Sequence, residues 1–106
     1  MPKYTLYTDE QLFDRVCQGD DLAFKELYER YWDTLWHYVS STTNADDAKD
    51  IIQDVFTSIW QKRTDLQLKR SFRAYLYRTT LNKIIDRSTH AKYAERYKAT
   101  LAKNHQ

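Results

Sequence analysis

One glycine, Gly19, and one proline, Pro2, are all the conformational punctuation this chain has in 106 residues. A β-rich domain needs several of each for its turns, because glycine supplies positive φ and proline pre-sets the turn. Their near absence predicts long, uninterrupted helices and an all-α fold. Hydrophobic residues make up 42% of the sequence and aromatics 15%, enough to bury one modest core, so a single folded domain is expected rather than disorder. No apolar run approaches the ~20 residues needed to span a bilayer. The N-terminal segment MPKYTLYTDE lacks the apolar centre of a signal peptide. The lone Cys17 excludes an internal disulfide and a cysteine-based zinc site, and reads as a small apolar residue of a cytosolic-type protein.

Polar residues that cap helices divide the chain into four. Thr8 and Gln11 form a Thr-x-x-Gln capping box that opens a helix from Asp9 to about Gln18. Gly19 fits the left-handed position after that helix, and Asp20 or Asp21 caps the next one. The second helix runs from Asp21 to about Ser41. Its Phe24, Leu27, Tyr28, Tyr31, Leu35, Tyr38 and Val39 follow helical spacing, and Trp32 and Trp36 widen the stripe. Trp32, Trp36, Phe56 and Trp60 are expected to be largely buried, and His37 partly buried. Asn44 caps a third helix, Ala45 to Lys62, with Asp46 and Asp47 in its first turn, where the helix dipole favours negative charge. The segment after Arg63 shows no clear period and reads as a loop. Ser71 then caps a fourth helix from Phe72 to about Ser88, extending toward Leu101. That helix carries two apolar stripes: Phe72, Tyr75, Leu76 and Thr79, and on roughly the opposite side Ala74, Tyr77, Leu81, Ile84 and Ile85. Residues 1–88 are therefore read as the domain and 89–106 as a helical extension or linker.

Charge changes sign along this framework. Met1 to Arg63 holds 7 Lys/Arg against 12 Asp/Glu, and Thr64 to Gln106 holds 10 against 3. The net charge of +2 conceals that asymmetry. The basic part suits a polyanion and the acidic part a basic partner. Phe72, Tyr75, Tyr77, Tyr93 and Tyr97 lie among the cations. Rings interleaved with Arg and Lys are what unpaired bases require, since the cations neutralise phosphates and the rings stack. Composition alone leaves open a solvated basic helix whose aromatics are core. No metal is expected, because His37, His90 and His105 show no metal-like pairing with carboxylates. No cofactor motif, Gly-rich phosphate loop or nucleophile–base pair is present either, so the chain reads as a non-enzyme.

Three ordered motifs carry a resemblance. GDDLAFKELYERY (Gly19 to Tyr31), DAKDIIQDVFTSIW (Asp47 to Trp60) and SFRAYLYRTTLNKIIDR (Ser71 to Arg87) together resemble region 2 of the bacterial RNA polymerase sigma factors. The short connections are similar to the extracytoplasmic-function group of the sigma-70 family. The chain departs from the family pattern at Lys49 and Asp54, where Glu is usual, and at Thr79-Thr80-Leu81, which lacks an Arg usual before Asn82. The resemblance implies a cytoplasmic transcription initiation factor that binds core RNA polymerase and recognises and melts the promoter −10 element. Asp47, Asp50, Gln53 and Asp54 would then meet arginines of the β′ clamp helices. The loop from Thr64 to Ser71 and the helix after it would meet DNA, chiefly the non-template strand, through Arg70, Ser71, Phe72, Arg73, Tyr75, Arg78, Asn82, Lys83 and Arg87, with a base pocket formed by that loop and Asn82. An anti-sigma protein is a further implied partner. Asp86 matches a family position and is read as a structural salt-bridge residue. Such factors continue into a helix-turn-helix domain, so the chain is expected to be the N-terminal piece of a longer one. A helical adaptor module with a solvated basic half is the alternative; a dimeric helix-turn-helix DNA binder is disfavoured by the lack of a glycine-turned short helix pair.

Overall fold

The computed structural model describes residues 4–104, and for the last helix the side chains through His90 together with Arg96. A 3₁₀ turn over Tyr4–Leu6 precedes four helices: α1 Asp9–Cys17, α2 Asp21–Ser40, α3 Ala45–Lys62 and α4 Phe72–Asn104. No strand occurs among the described residues, as the scarcity of Gly and Pro predicts.

Each boundary has its cap. The Gln11 N–H donates to Thr8 Oγ1 at 3.1 Å, and the Thr8 N–H donates to Gln11 Oε1 at 2.9 Å, completing the capping box. Asp20 Oδ1 accepts from the N–H groups of Leu22 and Ala23, Asn44 Oδ1 from that of Asp47, and Ser71 Oγ from that of Ala74. Gly19 has φ of 93°; its N–H donates to the Val16 carbonyl and the Asp20 N–H to the Arg15 carbonyl. That pair of bonds is a Schellman closure, which needs a left-handed residue at Gly19.

The core is one cluster fed by all four helices. Leu12, Phe13 and Val16 come from α1, and Ala23, Leu27, Tyr31, Leu35 and Val39 from α2. Ala48, Ile51, Ile52, Val55, Phe56 and Ile59 come from α3, and Phe72 and Leu76 from α4. The i, i+4 row from Ala23 to Val39 is the single fully covered stripe of α2. The adjoining row, Phe24, Tyr28, Trp32 and Trp36, is partly buried against the core, as is Trp60. Of the four large aromatics expected to be largely buried, Phe56 is fully so, and Trp32, Trp36 and Trp60 are partly buried against the core. A row at the edge of the helix contact is covered on one flank, which is why Trp32 and Trp36 are partly rather than fully buried. His37, expected to be partly buried, is exposed on the outer side of the last turn of α2.

The N-terminal segment is held by polar contacts. Arg30 Nη1 donates to Asp9 Oδ1 at 2.8 Å and to the Tyr7 carbonyl, and Nη2 donates to Glu26 Oε1. Tyr31 Oη donates to the other oxygen of Asp9. Burial, reinforced by the Asp9 carboxylate, pushes the Tyr31 phenol up to about 12. Arg15 stacks over the Tyr7 ring at 4.7 Å, and the Tyr4 hydroxyl donates to Asp20. That hydrogen bond raises the Tyr4 phenol and lowers the Asp20 carboxyl.

The two apolar stripes of α4 have different fates. Phe72, Leu76 and Thr80 form the buried row, with the Thr80 hydroxyl satisfied by the Leu76 carbonyl. Tyr75 and Thr79 are half-buried. On the second stripe Tyr77 and Ile84 are half-buried, while Leu81 and Ile85 are 44% and 50% exposed. Beyond His90, the side chains of Tyr93 and Tyr97 lie outside the described ones.

Candidate functional site

Two surfaces gather the residues singled out from the sequence. The first is the outer face of α3. Asp50, Gln53 and Asp54 are exposed at i, i+3 and i+4, so they project from one side of the helix. Asp47 is half-buried one turn earlier, where it accepts from Asn44 Nδ2 at 3.0 Å and from Arg87 Nη1 at 3.2 Å. Beside this face runs an apolar groove of about 350 Å³ lined by Phe24, Tyr28, Gln53, Phe56, Thr57 and Trp60. Ring packing shapes it: Phe24 lies 5.1 Å from Trp60 and Tyr28 lies 4.9 Å from Phe56. Carboxylates and an amide beside an aromatic groove suit a helix that presents arginines and an apolar side chain.

The second surface lies between the α3–α4 loop and the first turns of α4. Leu66 and Leu68 are half-buried against the core, while Gln67 and Lys69 between and after them are exposed. That alternation turns Gln67 and Lys69 outward to line a cleft of about 520 Å³ with Arg70, Ala74, Tyr75 and Arg78. Three cations, one amide and one phenol ring converge there. Cations attract phosphate, the ring offers a stacking face, and an amide presents donor and acceptor together, as a base edge requires.

The nine residues proposed from sequence for nucleic-acid contact do not stay together. Arg70, Tyr75 and Arg78 line the cleft. Ser71 is exposed beside it, with its hydroxyl engaged as the α4 cap. Asn82 is exposed one turn beyond Arg78 on the same side of α4, and does not itself line the cleft. Phe72 departs from that expectation: it is 0% exposed, with its ring 5.5 Å from Phe13 and 5.9 Å from Tyr31, so it packs in the core behind the cleft. Arg73 lies on the other flank of α4, its guanidinium 5.2 Å from the centre of the Tyr77 ring. Lys83 is half-buried on the side that carries Leu76 and Thr80. Arg87 is tied to α3 by its bond to Asp47. Asp86 is exposed and makes no ion pair among the described residues, contrary to the structural role read for it. Gln67, Lys69 and Ala74, which also line the cleft, were not singled out individually from the sequence, although the loop carrying the first two was expected at the DNA. The Leu-x-Leu step in the loop was the available signal.

Comparison with known proteins agrees with this arrangement. Residues 27–93 match the family described as Sigma-70 region 2. The chain is 37% identical over 79 residues to the RNA polymerase sigma factor NccH of Alcaligenes xylosoxydans xylosoxydans, covering 74% of this chain and 42% of that protein. It is 31% identical over 75 residues to the ECF RNA polymerase sigma-E factor of Escherichia coli K12, covering 71% and 39%. The chain thus spans about two-fifths of the length of these curated relatives. Among solved structures, an engineered region 2 of sigmaE, determined by NMR in complex with GTAAAA, superposes with a TM-score of 0.73 at 28% identity, covering 85% of this chain and 93% of that one. CnrH in complex with the cytosolic domain of CnrY gives 0.68 at 30% identity, covering 82% and 60%. With the family model matching residues 27–93, these curated relatives and the same all-α fold, the chain belongs to the sigma-70 region 2 family, in its extracytoplasmic-function branch.

Proposed function

We propose that this domain docks on core RNA polymerase through α3 and captures an unpaired base of the promoter −10 element in the cleft beneath the α3–α4 loop. The observation that carries the reading is the cleft itself: Gln67, Lys69, Arg70, Tyr75 and Arg78 around a space large enough for one nucleobase. Opening a duplex without ATP costs a few kcal/mol per extruded base. That cost is offset by stacking of about 1–3 kcal/mol per base on an aromatic face, together with phosphate neutralisation. Tyr75 supplies the face, Lys69, Arg70 and Arg78 the cations, and Gln67 the edge-reading amide, with Asn82 placed for the adjoining nucleotide. The likeness to the engineered sigmaE region 2 in complex with GTAAAA supports a short nucleotide sequence as the ligand class.

On the other surface, Asp50, Gln53 and Asp54, with Asp47 behind them, receive arginines of the β′ clamp helices, and the Phe24–Trp60 groove receives an apolar side chain. The domain works by binding alone, in the cytoplasm where polymerase acts, with no catalytic step and no cofactor. The likeness to CnrH bound to CnrY supports an anti-sigma protein as a further partner.

The test is fluorescence anisotropy with a labelled non-template −10 strand, its complement and the duplex. Binding of the non-template strand is expected at around micromolar or weaker, because neither polymerase nor a second DNA-binding domain adds its contacts. Arg78→Ala is expected to weaken it several-fold. Equal affinity for all three DNAs, or for wild type and Arg78→Ala, overturns the cleft assignment.

A further inference from the structure

The acidic face of α3 is already partly occupied in the free domain. Arg87, 40 positions beyond Asp47, places Nη1 3.2 Å from Asp47 Oδ1, 3.4 Å from the Asp47 carbonyl and 3.8 Å from Asp50 Oδ2. A guanidinium from the basic half of the chain thus sits on two carboxylates that the docking reading reserves for a partner's arginines. All three approaches use a single nitrogen, so the parallel two-bond fork that makes arginine–carboxylate pairs strong is not formed. The side chains are also accessible: Arg87 is 37% exposed, Asp47 43% and Asp50 61%. A pair this open and this loosely made is readily exchanged for a better one.

We infer that Arg87 is a built-in competitor for the polymerase-docking carboxylates, held by Asp47 and Asp50 in the free domain and displaced when an arginine-bearing partner helix docks. This rests on the docking reading of α3 given above. The consequence is a lowered affinity for every arginine-bearing partner, so that only a helix that matches several positions at once, including Gln53, Asp54 and the aromatic groove, displaces the internal arginine efficiently. A lone basic peptide competes with Arg87 for the same two carboxylates and gains little. Arg87 therefore acts as a specificity-determining residue on a surface that its own helix does not form.

Removing an exposed competitor of this kind is expected to tighten binding about two- to fivefold. The experiment is calorimetric titration of the 106-residue chain with a β′ clamp-helix fragment, comparing wild type, Arg87→Ala and Lys49→Ala. Lys49 is an exposed cation next to Asp50 on the same helix, with no ion pair among the described residues, so it reports the general effect of deleting a positive charge. Arg87→Ala is expected to bind more tightly by the stated factor, Lys49→Ala by clearly less. The Arg87→Ala gain should vanish in an Asp47→Asn, Asp50→Asn background, because the carboxylates being competed for are gone. A second measurement needs no variant: the side-chain nitrogen resonances of wild-type Arg87 should move toward those of a free guanidinium as the fragment saturates. Four outcomes overturn the inference: unchanged or weaker binding by Arg87→Ala, an equal gain from Lys49→Ala, a gain that persists in the Asn background, or Arg87 resonances that stay put. If the wild type binds the fragment and Asp50→Lys abolishes that binding, these failures fall on Arg87 alone. If the wild type binds no fragment at all, the docking reading and the competitor fall together.

Discussion

The ring of Phe72, first residue of α4, lies 5.5 Å from the ring of Phe13 in α1. This contact fixes the start of the helix that forms one wall of the cleft, because Phe72 is two positions from Ala74 and three from Tyr75. Phe72→Ala should destabilise the domain by about 3–5 kcal/mol through the cavity it leaves, and Phe72→Leu by much less. Urea denaturation measures both. Single-strand binding by Phe72→Leu at nearly wild-type strength would confirm that the ring supports the cleft without touching DNA.

Gly19 closes α1 in a left-handed conformation, and a Cβ built there meets nothing within 4 Å. The cost of Gly19→Ala is then purely conformational, about 1–2 kcal/mol, since no clash adds to it. Gly19→Asn should cost less, because asparagine tolerates this region better than alanine. Thermal melts of the three proteins should fall in the order Gly, Asn, Ala.

Charge reversal on α3 should separate binding from folding. Asp50 and Asp54 are exposed, and their only ion pair among the described residues is the 3.8 Å approach of Arg87 to Asp50. Asp50→Lys with Asp54→Lys is expected to abolish binding to a β′ clamp-helix fragment while leaving the melting temperature within a few degrees. Retained affinity in the double variant would falsify the docking face.

The cleft makes a distinction among DNA contacts measurable. Arg78→Ala should lower single-strand affinity for every base and reduce the salt slope by about 0.7, the signature of one lost phosphate contact. Gln67→Ala and Asn82→Ala should leave the slope nearly unchanged and each flatten the base preference at one position, a different position for each. Competition assays with singly substituted oligonucleotides read this directly.

At alkaline pH the Tyr31–Asp9 contact should become visible. The Tyr31 phenol is raised to about 12 in the folded chain from an ordinary value of 10.0. Above pH 10 the unfolded chain loses that proton while the folded one keeps it, so stability contributed by Tyr31 is complete below pH 10 and lost as pH rises toward 12. The loss amounts to about 2–3 kcal/mol across that window. Tyr31→Phe should lose correspondingly less between pH 10 and 12 in urea titrations, the other tyrosines and lysines being common to both proteins.

Helix boundaries were legible in the sequence because the capping side chains act over three residues: Thr8, Asp20, Asn44 and Ser71 each bond an N–H within that distance. The exposed acidic row on α3 was legible for the same reason, since helical spacing decides which residues share a side. Periodicity could not grade burial between a fully covered stripe and its partly buried neighbour, the row on which Trp32 and Trp36 lie. Nor could it decide whether the aromatic at the start of α4 points to solvent or to Phe13, which depends on how α1 and α4 cross. The bond between Asp47 and Arg87 spans 40 positions and follows only from the packing of α3 on α4.

The alternation in the α3–α4 loop has an evolutionary consequence. Leu66 and Leu68 act as pegs, and Gln67 and Lys69 are what the pegs hold out. Exchanging the outward residues leaves the pegs seated, so, under the proposed base capture, a lineage could rewrite which base the loop prefers without first repairing a weakened fold. If the cleft reads a base as proposed, promoter preference diversifies at positions that stability does not police.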